Sequence, residues 1–116
     1  MALVAKAHHI ETAHDGPGFR LYRWTLGPDE TGEPVLVAAY TRKTAFFIGS
    51  FGEGALGIEL SPDPGGSAWV TASDPHGTRL TGIRSPRAET VSEHAVLLRP
   101  VAGPGVEQVA VWLVLA

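Results

Sequence analysis

A cluster of histidines near the N-terminus is the first group of residues in this chain that could carry out chemistry. His8, His9 and His14 lie close together in the sequence, and Asp15 follows directly. Imidazole nitrogens and carboxylate oxygens bind zinc, but a site needs three or four such ligands held at about 2.0–2.2 Å on a rigid scaffold. Glycine and proline flank this segment, which makes it a poor scaffold. The two other histidines form no H-x-H pattern with a later glutamate, so we predict no metal site.

Serine, aspartate and histidine also occur together, at Ser73, Asp74 and His76. In a serine hydrolase these groups form a relay across space, on a rigid frame with an oxyanion hole. Neighbouring residues of one turn cannot form that relay among themselves, and Asp74 is better explained as a carboxylate that caps its own turn. Two carboxylates could still act together as a glycosidase pair. The other candidates lie at predicted turns or strand ends, where exposure to solvent is the simpler reason for a charged side chain; they are Glu53, Glu59 and Asp63.

Residues 52–57, GEGALG, match the G-x-G-x-x-G motif of dinucleotide-binding proteins. That motif binds a pyrophosphate only where a helix begins after the glycines and offers its free amides. Here the following residues alternate between apolar and small or polar side chains, which indicates a strand, and Glu53 would repel a phosphate. The segment is therefore interpreted as a hairpin turn. We predict that the protein is not an enzyme and has no cofactor.

Aromatic residues could instead form a platform for sugar rings, and the candidates are Tyr22, Trp24, Tyr40, Trp69 and Trp112. In a domain of this size most tryptophans are core or interface anchors. Calcium, which many carbohydrate modules bind, prefers a dense set of oxygen ligands, and the loop near Asp63 lacks one. A carbohydrate-binding module is the alternative function.

Length and composition favour a single globular domain. The chain has 116 residues, of which 44% are hydrophobic and 18% are charged, with no cysteine and a net charge of −3. There is no basic run to attract a nucleic acid, and the apolar segments are shorter than the roughly 20 residues that span a bilayer. We therefore expect neither nucleic acid nor membrane as a partner. Sparse amide side chains favour a heat-tolerant source.

Short apolar segments separated by glycine and proline turns indicate about eight β-strands, and no segment has a helical repeat with a cap. This pattern predicts an all-β fold, a single antiparallel β-sandwich that is jelly-roll-like. The predicted strands are 19–26, 34–40, 45–51, 55–60, 68–72, 94–101 and 106–115, with shorter polar segments at 78–83 and 88–92.

The last strand is apolar on both faces. Val109, Val111 and Leu113 alternate with Trp112 and Val114, so one set belongs in the core. The other set must be covered by a second sheet, by the N-terminal segment or by another subunit.

Residues 1–18 show no sustained period and are predicted to be an extended N-terminal arm, which leaves residues 19–116 as the β-sandwich domain. The arm is either a mobile tail or a segment that becomes ordered on a neighbouring subunit. Residues 2–5 could also add a short strand to an exposed sheet edge.

The stretch from residue 45 to residue 77, followed by LLRP and a terminal apolar strand, resembles a family of small tailed-bacteriophage proteins that decorate, or cement, the capsid. The resemblance covers residues 22–116, mostly at turn and core positions. The matching residues are Gly49, Phe51, Gly52, Gly54, Glu59, Ser61, Asp63, Gly66, Trp69, Asp74, Pro75, Gly77, Leu98, Arg99, Pro100 and Gly105.

This resemblance implies a virion structural protein, made in the host cytoplasm, that binds the outer capsid surface and stabilises the lattice. The expected partners are the major capsid protein and the protein itself, as a dimer or trimer. A minor tail or head-completion role is also compatible. The residues we expect to contact a partner, in the arm and the first long strand, are Leu3, Val4, His8, His9, Phe19, Tyr22 and Trp24.

Overall fold

The computed structural model describes residues 3–116, which form β-strands connected by turns and loops. None of the described residues belongs to a helix long and apolar enough to cross a membrane. The strands are β1 (Leu3–Ala5), β2 (His8–His9), β3 (Arg20–Leu26), β4 (Glu30–Gly32), β5 (Val35–Leu36), β6 (Lys43–Ser50), β7 (Leu56–Ser61), β8 (Val70–Thr71), β9 (Arg87–Val91), β10 (Leu97–Ala102) and β11 (Gln108–Leu115).

The strands form two sheets that pack face to face. Sheet A has the order β1-β4-β10-β7-β8, with β5 also pairing with β10, and sheet B has the order β2-β3-β11-β6-β9. Every pairing is antiparallel except the one between β1 and β4, which is parallel. The prediction of an all-β, jelly-roll-like sandwich is confirmed.

The core lies between the two sheets and is built by side chains at alternate positions. On β11 the inward residues have no exposed surface, and β7 and β10 supply the facing layer from sheet A. Burial of these side chains is the main force that holds the sheets together. The principal core residues are Leu56, Ile58, Leu60, Leu98, Val109, Val111, Leu113 and Leu115.

Strand β4 lies between the predicted strands at 19–26 and 34–40, where the sequence predicts no strand. Its Thr31 pairs with Val101 of β10. A Cβ on Gly32 would lie 2.5 Å from the Cδ atom of Pro100 and 3.0 Å from the Cδ1 atom of Trp24. Because glycine has no side chain, the strand can approach the core this closely, although its composition disfavours strand formation.

Two of the predicted strands are shorter than expected. The strand predicted at 34–40 ends after Leu36, and the amide of Tyr40 donates to the carbonyl of Val37 (3.0 Å) in a turn. The strand predicted at 68–72 is reduced to β8. Residues 78–83 form no regular strand, but Leu80 and Ile83 are buried. Ile83 exchanges backbone hydrogen bonds with Leu56 of β7, whereas Leu80 accepts one from Ile58 of β7 and donates one to Ala72.

The described part of the N-terminal segment lies along the sheets of its own chain. Strand β1 pairs in parallel with β4, and β2 pairs with β3. The short strand expected at residues 2–5 is thus present from Leu3 onward, as an addition to sheet A, and Met1 and Ala2 lie outside the described residues. The boundary between arm and domain at residue 19 stays a prediction.

Candidate functional site

The chain itself covers the middle of the outer face of sheet A with the loop between β7 and β8. The ring of Trp69 lies 3.8 Å from the guanidinium carbon of Arg99, and Arg99 also contacts the carboxylate of Glu59 through Nε (2.9 Å) and Nη2 (2.8 Å). The indole nitrogen of Trp69 donates to the carbonyl of Gly66 (2.9 Å). These contacts hold the loop against the sheet.

The same loop is organised around the carboxylate of Asp63. It accepts hydrogen bonds from the hydroxyl of Ser67 and from the amide of Gly65 (2.7 Å). These bonds favour the ionised form, and the hydrogen bond from Ser67 is the main reason why the pKa of Asp63 is lowered. The carboxylate therefore serves the local loop structure.

No described segment covers the outer face of sheet B in this way, and one row of side chains crosses all five strands of the sheet. The strand registers place His8 beside Arg23, Arg23 beside Trp112, Trp112 beside Phe46 and Phe46 beside Ala88. Side chains that are neighbours across strands on the same face contact one another. The row therefore presents an aromatic pair at its centre.

Apolar and hydroxyl side chains surround this aromatic pair. Phe46 and Ile48 are 38% and 54% exposed, and Trp112 and Val114 are half-buried. We define the outer face of sheet B as the outward positions of its four longer strands around this row. Arg23 is the single charged side chain in this set: Leu21, Arg23, Thr25, Thr44, Phe46, Ile48, Ala88, Thr90, Ala110, Trp112 and Val114.

Arg23 is positioned by the aromatic pair rather than by a carboxylate. Its guanidinium carbon lies 5.2 Å from the centroid of the Trp112 ring, in the range of a cation–π interaction. Its Nε is buried and has no hydrogen-bond partner among the described residues. A buried donor without a partner costs stability.

Inside the sandwich, Lys43 occupies an inward position at the start of β6. The residue is 1% exposed and forms no salt bridge with any described residue. Burial lowers the pKa of Lys43, and attraction to Glu93 opposes this shift in part. The lysine is therefore a buried amine in an apolar setting, which destabilises its charged form.

Two clefts indent the described surface. The larger, about 330 Å³, is lined by residues of the β7 and β10 ends and has no ionisable side chain. The smaller, about 220 Å³, has Glu93 and His94 among its lining residues. Burial works to raise the pKa of Glu93, but hydrogen bonds from Ser73, from the amide of Glu93 and from Ser92 together outweigh it and lower the pKa. Neither cleft gathers a constellation of acids and bases.

The histidines are spread over the N-terminal segment and separate loops. His9 contacts the carboxylate of Asp15 (3.0 Å) and lies 5.8 Å from the ring of Tyr22, and His14 lies 6.2 Å from the ring of Phe19. In the part of the chain that the structure describes, no three His, Asp or Glu side chains are placed to hold a metal ion.

The residues predicted to contact a partner do not form one surface. His8 lies at the end of the row on the outer face of sheet B. Val4 is 57% exposed on the opposite side of the molecule, in sheet A, and of Leu3 only the backbone pairing is described. Trp24 is fully buried and donates to the carbonyl of Glu33 (2.9 Å), so its side chain belongs to the core.

The aromatic residues proposed as a sugar platform are also dispersed. Tyr22 and Trp24 share the inward side of β3, with ring centroids 6.4 Å apart, whereas Trp69 and Trp112 lie on the outer faces of different sheets. Phe46 and Ile48 are the most exposed large apolar side chains on the outer face of sheet B. Neither was among the residues predicted to contact a partner. The apolar second face of the last strand predicted that one face of its sheet needs a cover, but it did not identify Phe46 and Ile48 as part of that face.

No known protein-family model and no curated protein matches the sequence. Solved structures do match the fold. The chain has a cupin-like jelly-roll fold. A cupin domain from Bordetella pertussis Tohama I superposes with a TM-score of 0.52 at 13% identity, over 100% of this chain and 97% of that one. The SPBc2 prophage-derived protein YomS superposes with a TM-score of 0.64 at 10% identity, over 84% and 93% of the two chains.

A recombinant oxalate oxidase in complex with glycolate also matches, with a TM-score of 0.53 at 13% identity over 95% of this chain. The chain spans 50% of the length of that enzyme. At such low identities the similarity shows the fold and not the function. Since proteins of this fold include an enzyme, the prediction that this chain is not an enzyme gains no support from the fold.

Proposed function

We propose that the protein is a structural protein of a tailed bacteriophage that binds the outside of the head and stabilises the capsid lattice. Its partner on the shell is the major capsid protein. The observation that carries this proposal is the outer face of sheet B, where aromatic and aliphatic side chains are exposed side by side. Exposed apolar surface of this kind is typical of protein–protein contact.

The contrast between the two sheets supports a binding role for sheet B. The middle of sheet A's outer face is covered by Trp69 and its loop, which pack on Arg99. The middle of sheet B's outer face is covered by no described segment, although it carries Trp112 and Phe46. Tryptophan and arginine are enriched among the residues that dominate binding energy at interfaces, and this face holds one of each in contact.

The phage context has two supports. The sequence resembles capsid decoration proteins, and a structural neighbour with a TM-score of 0.64 is prophage-derived. Stabilisation would follow from mass action, because a ligand that binds only the assembled lattice favours assembly. An interface of about 1,600 Å² is enough for specific attachment, and no covalent chemistry is needed.

The experiment uses phage heads prepared without the protein, to which the purified protein is added back. We expect it to sediment with the heads and to raise the temperature at which they rupture. An unrelated jelly-roll protein of similar size, added at the same concentration, is the control. Equal rupture temperatures with and without the bound protein would refute the stabilising role, and absence of co-sedimentation would refute the attachment itself.

A further inference from the structure

Strand β9 forms one edge of sheet B and pairs only with β6 among the described strands. The five residues Arg87–Val91 therefore present one side of their backbone without a strand partner. No backbone hydrogen bond from the described residues outside the strand ladder reaches residues 87–91. Such an edge is a template for pairing with another chain.

We propose that two copies of this protein pair through β9, antiparallel and about a two-fold axis that passes between the Ala88 residues of the two chains. In this register Arg87 of one copy lies directly opposite Glu89 of the other, and the reverse pair is formed by symmetry. Opposite charges at directly opposed positions stabilise an antiparallel pair. A two-fold contact of this type uses the same patch on both subunits.

The charges of Arg87 and Glu89 favour this register over the adjacent one. A shift that centred the axis on Glu89 would place two carboxylates opposite each other, which is destabilising. Within one chain Arg87 Nε already lies 2.8 Å from Glu89 Oε1, with 44% and 19% of the two side chains exposed. Both groups therefore stand at the edge, and the exposed arginine can contact a carboxylate of the second copy.

The register also makes the two outer faces of sheet B continuous. Ala88 ends the row that contains Trp112 and Phe46, so pairing of Ala88 with Ala88 joins two such rows across the axis. The small alanine side chains leave room for this approach. The pairing goes beyond the proposed capsid role and does not depend on it, since it can be measured with the isolated protein.

Disulfide trapping tests the register, because the natural chain has no cysteine. Directly opposed residues of an antiparallel pair have Cα atoms about 4.5–5.5 Å apart, within the range of a disulfide. Ala88→Cys is therefore expected to form a covalent dimer under mild oxidation. The matched control is Thr90→Cys on the same face of β9. Its two copies would lie about 13 Å apart in this register and should stay unlinked. Equal cross-linking of both variants, or cross-linking of Thr90→Cys alone, would overturn the proposal.

Charge exchange tests the pairing independently, by sedimentation of the isolated protein over a range of concentrations. Glu89→Arg should weaken self-association about ten-fold or more, because two arginines then face each other. The double variant Arg87→Glu with Glu89→Arg should restore it, since opposite charges again meet. A wild type that stays monomeric at millimolar concentration, or a single variant that associates as tightly as wild type, would refute the pairing.

Discussion

Arg23 lies over the indole ring of Trp112 on the outer face of sheet B, with its guanidinium carbon 5.2 Å from the ring centroid. The two residues belong to neighbouring strands and are directly paired in register. On its other side Trp112 is paired with Phe46, whose side chain is 38% exposed. Phe46 and its neighbour on the same strand, Ile48 (54% exposed), are the apolar surface that another molecule would cover. The first prediction therefore places a charge on this surface.

Ile48→Lys should weaken binding to phage heads without unfolding the protein. Ile48 is 54% exposed on the outer face of sheet B, so a lysine there can be solvated in the free protein but would be desolvated in the complex. We expect a loss of affinity of about ten-fold or more and a change in unfolding free energy within about 0.5 kcal/mol. Co-sedimentation with heads and thermal unfolding measure the two quantities.

The matched control for that variant is Val70→Lys. Val70 is another β-branched strand residue, 62% exposed, but it belongs to β8 in sheet A. Binding should be unchanged in this variant. If both variants bind as the wild type does, the outer face of sheet B is not the attachment surface.

Gly32→Ala should destabilise the protein by about 1–3 kcal/mol, because overpacking forces neighbouring atoms to move. The new Cβ would lie 2.5 Å from the Cδ atom of Pro100, whose ring cannot rotate away. Gly18→Ala is the control, since nothing lies within 4 Å of its Cβ position. Chemical denaturation of both variants measures the difference, and similar unfolding free energies would contradict the close packing of β4.

Most of this architecture follows from alternation in the sequence. The period of two in β11 correctly predicts that one of its two alternating sets is buried, because one face of that strand lies against sheet A. Alternation also marks residues 45–51 as a strand, but it does not say whether Phe46 or Phe47 faces the core. That choice depends on which side of sheet B is covered by sheet A, and so on contacts far apart in the chain.

The parts that were missed depend on tertiary pairing. Strand β4 has the composition of a loop, yet Thr31 pairs with Val101, 70 positions later in the numbering. The apolar run after Leu36 suggested a longer strand, but Val37 begins a turn. Neighbours across strands, such as Trp112 and Phe46, are set by register, which a single sequence does not specify. The candidate surface was therefore predictable as an uncovered face and not as a set of residues.

Trp69→Ala should loosen the loop between β7 and β8. The substitution removes the ring that lies 3.8 Å from the guanidinium carbon of Arg99 and the indole hydrogen bond to Gly66. We expect a stability loss of about 1–2 kcal/mol and faster hydrogen exchange at the amides of residues 65–70. Trp112→Ala, on the other outer face, is the control and should leave exchange in this loop unchanged. Unaltered loop exchange in Trp69→Ala would show that other contacts hold the loop.

Lys43→Met should raise stability at neutral pH, and the gain should shrink as the pH rises. Burial lowers the pKa of Lys43 below its ordinary value of 10.5 in the folded state, with partial opposition from Glu93. The unfolded chain therefore binds a proton more readily than the folded one, so protonation favours unfolding. This penalty is fully present below the folded pKa and disappears as the pH passes 10.5. Methionine fills a similar volume without charge, so the variant should be more stable than wild type at neutral pH.

Denaturant unfolding of wild type and Lys43→Met from neutral to alkaline pH measures the difference in their unfolding free energies. Lys6→Met is the control, because the Lys6 side chain is 77% exposed and lies 3.9 Å from the carboxylate of Glu33. Exposed ion pairs of this kind contribute little to stability, so its difference from wild type should be small. A Lys43→Met variant that is less stable than wild type at neutral pH would show that the ammonium group is stabilised inside the sandwich. A gap that stays constant with pH would show that packing, rather than the charge of Lys43, separates the two proteins.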